Sequence, residues 1–332
     1  MKKIFIASIF VLGFIASGCT KKNEKTKIWI YTSLYKDTIS DIQPKLAQEF
    51  PNIDIQFYQA GSEDVAAKVQ AEALSGKIQA DILISSDRFW YEDLANKNQL
   101  IKFAPARTDK VSASFKHPDS FYTTVSFPLM VIAYNSEVIK DDDAPKTFKE
   151  LSDPKWKDKV STGSPLASGT SFTTVAFLAK KYGWDYFTLL RKNNLISEGG
   201  NSGVIRRLQS KERPIGIVLI ENILRLKVSD PRLKFLIPTD GAVVQSNILA
   251  LVKKETPQDT TQKIADWFFS TAGQAAMARS YMYPAINGEK APESAPEFEK
   301  ILATAQPWSR EFITETMLNR EKIKDQFSKI IF

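Results

Sequence analysis

With 332 residues, of which 43% are hydrophobic and 25% charged, the chain is long enough for two domains and apolar enough to fill their cores. Its 45 Lys+Arg against 38 Asp+Glu give a net charge of +7, spread without a long basic block. That balance excludes a nucleic-acid surface as the organising feature and suits weak steering of a small anion.

The N-terminus reads as a targeting segment. Lys2 and Lys3 precede an apolar run from Ile4 to Ile15, followed by Ala16-Ser17-Gly18-Cys19. The run is too short for a spanning helix, which needs about 20 apolar residues. Cys19 is the only cysteine, so no intramolecular disulfide forms. Small residues before a lone cysteine resemble a bacterial lipobox, with Ala16 where Leu is usual. We therefore expect a signal peptide over 1–18 and a lipidated tether over 19–27, with Cys19 as the lipidation site.

In chain order, Lys27–Thr32 is a β-rich apolar run and reads as the first strand, ending in Thr32-Ser33. Asp37–Phe50 follows as an amphipathic helix, with Ile39, Ile42, Leu46 and Phe50 on one face and Pro51 as its stop. Ile53–Phe57 alternates as a second strand, Val65–Leu74 is a helix, and Asp81–Ile84 is a third strand opening into Ser85-Ser86-Asp87 before a helix over Phe89–Ala95. This alternation predicts a largely parallel sheet with right-handed crossovers, whose ligands sit at the strands' carboxyl ends.

Val125–Asn135 reads as one long apolar strand crossing between domains, and Gly241–Leu251 as the return crossing. Between them, Ser168-Gly169-Thr170-Ser171 opens a helix to Lys181, and Pro214–Ile220 is a buried strand ending at Glu221-Asn222. Helices dominate from Thr260 onward. The stretch Ser197–Gly203, S-E-G-G-N-S-G, runs straight into a helical pattern. Asn201 or Ser202 would cap that helix, and the glycines would let its free N–H groups approach an anion. An ordinary capped loop explains those residues taken alone; the neighbouring junctions shift the balance towards a site.

Y-T-S after the first strand, A-D-I-L-I-S-S-D after the third, L-x-D-P-x-W-K-x-K, S-G-T-S, G-G-N-S-G and D-G-A-V-V-Q-S-N-I-L-A-L occur in an order that resembles an extracellular solute-binding protein of an ABC importer. More narrowly, it is similar to the iron-type branch with the type II periplasmic fold. The resemblance spans essentially all of the mature chain. It implies an α/β fold of two Rossmann-like lobes joined by a hinge: lobe 1 from 28–128 and 246–332, lobe 2 from 129–245. It further implies a monomer on the periplasmic or outer face of the cytoplasmic membrane that docks on an ABC permease.

Ferric-ion members of that branch resemble one another in a consecutive Tyr-Tyr pair near the G-G-N-S-G position, often with a His after the first strand and a Glu. Hard Fe(III) needs such oxygen donors. Here the segment holds no tyrosine, and the single histidine, His117, reads as a solvated loop residue, so no metal ligand is expected. Relatives with a hydroxyl-rich pattern bind phosphorylated sugars or aminoethylphosphonate, and the resemblance implies an organophosphorus ligand.

The expected phosphate contacts are Ser33, Ser85, Ser86, Ser168, Gly169, Thr170, Ser171, Asn201, Ser202 and Gly203, all at loop-to-helix junctions where N–H and O–H donors converge. The rest of the ligand would meet Tyr35, Asp87, Arg88, Trp90, Phe127 and Glu221. Each aromatic among them, taken alone, fits a core position better, and Arg88 equally fits a surface salt bridge. A hexose 6-phosphate is the first expectation, with 2-aminoethylphosphonate and a ferric ligand as alternatives. No cofactor is expected. No P-loop, nucleophile elbow or paired metal ligand supports an enzyme, and a non-transport surface lipoprotein would not need glycine-rich helix starts aimed at one cleft.

Overall fold

A computed structural model describes residues 25–255 and 258–332. The expected signal peptide and the lipidation site Cys19 lie outside the described residues. The elements run β1 (Thr26–Thr32), α1 (Lys36–Glu49), β2 (Ile53–Gln59), α2 (Ser62–Leu74), β3 (Ile82–Ser86), α3 (Arg88–Asn96), β4 (Thr123–Phe127) and β5 (Leu129–Asn135). There follow β6 (Val160–Thr162), α4 (Gly169–Tyr182), α5 (Trp184–Lys192), β7 (Ile196–Ser197), α6 (Asn201–Ser210), β8 (Ile215–Leu219), α7 (Ile220–Leu226), β9 (Leu233–Leu236) and β10 (Val243–Val244). The chain ends with β11 (Asn247–Leu251), α8 (Asp259–Trp267), α9 (Thr271–Arg279), β12 (Tyr283–Pro284), α10 (Phe298–Leu302), α11 (Arg310–Leu318) and α12 (Arg320–Ile331).

The amphipathic faces bury as the pattern requires: Ile39, Ile42 and Leu46 of α1 are buried, and β3 is buried along its whole length. Two sheets result, ordered β12-β4-β11-β3-β1-β2 and β10-β5-β8-β6-β7, with β9 also on β5.

Two expectations are corrected here. The sheets are mixed rather than largely parallel. β1 pairs in parallel with β2 and β3, but the returning strand β11 inserts antiparallel between β3 and β4. β5 likewise runs antiparallel to β8. The single strand expected over Val125–Asn135 is two strands in different sheets, divided at Pro128. Proline has no N–H for a ladder, and its carbonyl instead accepts from Gln245 N of the return crossing at 2.8 Å. The return segment divides in the same way, between β10 in one sheet and β11 in the other.

The C-terminal helices bridge the two halves. α11 packs on α3 of the first sheet's side, but α12 packs on α4 and α5 of the second. Phe327 of α12 lies 5.4 Å from Phe187 of α5. Trp308, just before α11, touches Phe89 from one half and Phe177 from the other, and its indole N–H donates to Val244 O at 2.9 Å. Loops of both sheets face one another across a cleft.

Candidate functional site

The cleft is assembled from helix starts, those of α4, α2 and α6 among them. α4 is capped by Ser168, whose hydroxyl accepts from Ser171 N at 3.3 Å. Gly169 comes so close to the first sheet that a Cβ there would collide with Ser86 O and lie 2.8 Å from Asp87 Cβ. Its N–H donates across the cleft to Ser62 Oγ at 2.7 Å. Ser62 opens α2, and Gly61 is its N-cap.

The start of α6 corrects an expectation. Its N-cap is Gly200, and no side chain caps it. Asn201 is the first helical residue and reaches sideways instead. Its Nδ2 donates to Thr170 Oγ1 at 3.3 Å, and its Oδ1 accepts from Leu219 N at 3.3 Å. Asn201 therefore ties α4, α6 and β8 together. First-turn N–H groups have no intrahelical acceptor, and among the described residues those of Thr170, Asn201 and Ser202 meet no other acceptor.

Ser33, Tyr35, Ser86, Ser168, Thr170, Asn201, Ser202 and Glu221 line one cavity of about 230 Å³. Among the described residues no Lys, Arg or His lines it. Glu221 is fully buried, its Oε2 has no hydrogen-bond partner, and burial pushes its carboxyl up to about 8. It is therefore mostly protonated at neutral pH. The Tyr35 hydroxyl accepts from Asn222 Nδ2 at 2.9 Å and lies 3.5 Å from Glu221 Oε1; burial holds its pKa far above the ordinary value. The Arg225 guanidinium covers the Tyr35 ring at 4.4 Å and pairs with Asp37 at 2.8 Å, so α7 of one half and α1 of the other meet over the cleft.

The other expected site residues lie off the cavity lining. Ser85 is fully buried against the Tyr91 hydroxyl at 3.1 Å. Ser171 is buried with an unpartnered hydroxyl, and Gly203 turns inward, its N–H bonded to Gly200 O at 3.0 Å. Asp87 caps α3 through Phe89 N and Trp90 N and pairs with Arg320 at 2.6 Å. Arg88 is buried beside the Tyr122 hydroxyl, with its Nε 3.1 Å away. Trp90 packs edge-on to Tyr91 at 5.0 Å, and Phe127 stacks on Phe298 at 5.0 Å. His117 is not solvated: it is 8% exposed and its Nδ1 accepts from Asp119 N at 3.0 Å.

Sequence reasoning missed Gln59, Gly61, Ser62 and Asn247, which also line the cavity. A signal existed for Gly61-Ser62, which stand between a strand and a helix as the other junctions do. Starting that helix at Val65 hid them. Asn247, at the start of a buried strand, carries no such mark.

The family model described as bacterial extracellular solute-binding protein matches residues 77–307. The chain belongs to this family. Binding proteins of this family are transport components that deliver small solutes to ABC permeases, and they work outside the cytoplasm. The chain is similar to iron uptake protein A1 of Synechocystis, 23% identical over 83% of this chain and 80% of that one. It also resembles the solved structures of AfuA from Actinobacillus pleuropneumoniae with fructose-6-phosphate bound (20% identity, 92% of this chain and 99% of that one, TM-score 0.81) and iron-bound HitA from Pseudomonas aeruginosa (19%, 92% and 100%, TM-score 0.79). At these identities the likeness establishes the fold, that of a type II periplasmic binding protein.

Proposed function

We propose that this binding protein captures a small phosphorylated solute, a sugar phosphate such as a hexose 6-phosphate, in the cleft between its sheets. The observation that carries the reading is a cavity ringed by helix starts and hydroxyls, with no cationic side chain among the described residues. Free first-turn N–H groups and the positive ends of helix dipoles hold a phosphate without Lys or Arg. A protonated Glu221 fits the same ligand, because it can donate to a phosphate oxygen, which an ionised carboxylate would repel.

A ferric ligand finds poor donors. Among the described residues Tyr35 is the single tyrosine on the cavity, and no three His, Cys, Asp or Glu side chains are grouped to hold a metal. The second reading, 2-aminoethylphosphonate, is favoured by the unpartnered Glu221 Oε2, which would ionise to meet an ammonium. Contacts across the cleft, Ser62 to Gly169 and Asp37 to Arg225, belong to a closed state that the ligand would stabilise over an open one. The closed protein would act as a monomer docking on its permease, held at the membrane through lipidated Cys19. Replacing Cys19 by Ser should release the protein from the membrane fraction, and continued retention would remove the anchor.

The test is a thermal-shift panel on residues 23–332 with glucose 6-phosphate, fructose 6-phosphate, 2-aminoethylphosphonate, inorganic phosphate and ferric citrate. Bound ligand raises Tm by mass action. A shift with the hexose phosphates alone supports the proposal. One with the aminophosphonate alone transfers it to the second reading, and one with ferric citrate alone overturns both.

A further inference from the structure

A larger cavity, of about 550 Å³, shares no lining residue with the cleft. It lies between the start of α3, the segment 103–123 and the start of α11. Its volume falls within the usual range for small-molecule sites, roughly 300–1,000 Å³. Arg88, at its wall, is 2% exposed. Its Nε donates to the Tyr122 hydroxyl at 3.1 Å, its terminal nitrogens donate to Ser114 O and Lys116 O, and its plane lies 5.4 Å from the Trp308 ring. Among the described residues it forms no ion pair with any carboxylate. Glu92, on the far side of Tyr122, is already engaged by the Tyr122 hydroxyl and by Arg310 at 2.6 Å.

Two more cations line the same space. Lys116 Nζ is held by Thr108 O at 2.8 Å, and Arg310 stands half-exposed at the mouth. His117 adds a donor. Because its Nδ1 accepts from Asp119 N, its proton sits on Nε2, which is 3.7 Å from Glu92, beyond hydrogen-bond reach. Three cations thus line a void whose lining, among the described residues, includes no carboxylate; the neighbouring Glu92 is committed to Tyr122 and Arg310. A buried guanidinium without a counter-charge is costly, and its planar fork matches a carboxylate or phosphate. Phe103, Pro105, Trp308 and Ile313 give the wall an apolar side, and Thr108, Ser114, Ser120 and Thr123 a hydroxyl and backbone side.

We propose that this cavity is a second binding site, for a small organic anion with an apolar body, the anion meeting Arg88, Lys116 and Arg310. The site is independent of the reading of the cleft. Its test titrates benzoate, and benzamide as the neutral isostere, against residues 23–332 by ligand-observed NMR.

Benzoate should bind saturably and benzamide at least about tenfold more weakly, the discrimination expected of charge-assisted hydrogen bonds. Arg310→Ala and Lys116→Ala should each weaken benzoate several-fold. Both lie at the rim, so the result does not depend on the buried Arg88 variant folding. Any of four results overturns the proposal: no benzoate binding, equal binding of benzamide, indifference to both rim variants, or a loss with Ser202→Ala, which would place benzoate in the cleft.

Discussion

The starts of α4 and α6 face the same cavity but are finished differently. α4 has a side-chain cap, Ser168, and its first residue is a glycine wedged against the opposite sheet. α6 has no side-chain cap, and its first two N–H groups are open to the cavity. One start is built for closure of the two halves and the other for the ligand. The residues of α4 should therefore govern whether the cleft shuts, and those of α6 how tightly it holds.

The largest effect should come from Gly169→Ala. The added methyl would collide with Ser86 O and push the halves apart, and overpacking of this kind costs on the order of 3 kcal/mol, roughly a hundredfold in affinity. The ligand-induced rise in Tm should vanish while the ligand-free protein still unfolds cooperatively. An undiminished rise would mean the halves need not approach this closely.

Glu221→Gln comes next, and it sharpens the comparison because Glu221 belongs to neither start. Its carboxyl is raised from 4.5 to about 8, so the folded protein binds a proton that the unfolded chain releases. Stability must then fall as pH rises from about 4.5 to about 8. Each tenfold change in proton affinity is worth about 1.4 kcal/mol, so the loss amounts to a few kcal/mol. Urea unfolding at pH 5 and pH 8.5 should show this loss in the native protein and much less in the variant. Ligand binding should weaken above pH 8 for a sugar phosphate and strengthen for an aminophosphonate.

Local patterns carried most of the fold. The strand–helix alternation from β1 to α3 was legible because apolar periodicity and turn residues mark each boundary. The mixed sheets were not, since the insertion of β11 between β3 and β4 joins residues over a hundred positions apart. Pro128 was in plain view, yet an apolar run on both sides concealed that it divides two sheets. In the site, several hydroxyls at helix starts line one cavity, but their direction was not legible. Ser85 and Ser86 are neighbours in one strand and point to opposite faces, so Ser86 lines the cavity while Ser85 meets Tyr91. Asp87, Arg88, Trp90 and Phe127 are chemically apt for a ligand, but each is engaged in packing or pairing that no short sequence window reveals.

The smaller effects return to the two helix starts. Ser202→Ala removes a hydroxyl from the cavity and should weaken ligand binding by about 1–3 kcal/mol, as measured by calorimetry, with little change in ligand-free Tm. Ser168→Ala should do the reverse. Its hydroxyl is committed to Ser171 N and lies 3.0 Å from Thr170 Oγ1, so its loss removes a cap worth about 1 kcal/mol of stability. Affinity should fall less than in Ser202→Ala, because the cap's oxygen accepts a backbone proton and is not free to face the ligand. If Ser168→Ala instead costs as much affinity as Ser202→Ala at unchanged ligand-free Tm, the cap opens on ligand binding, and both helix starts serve the ligand.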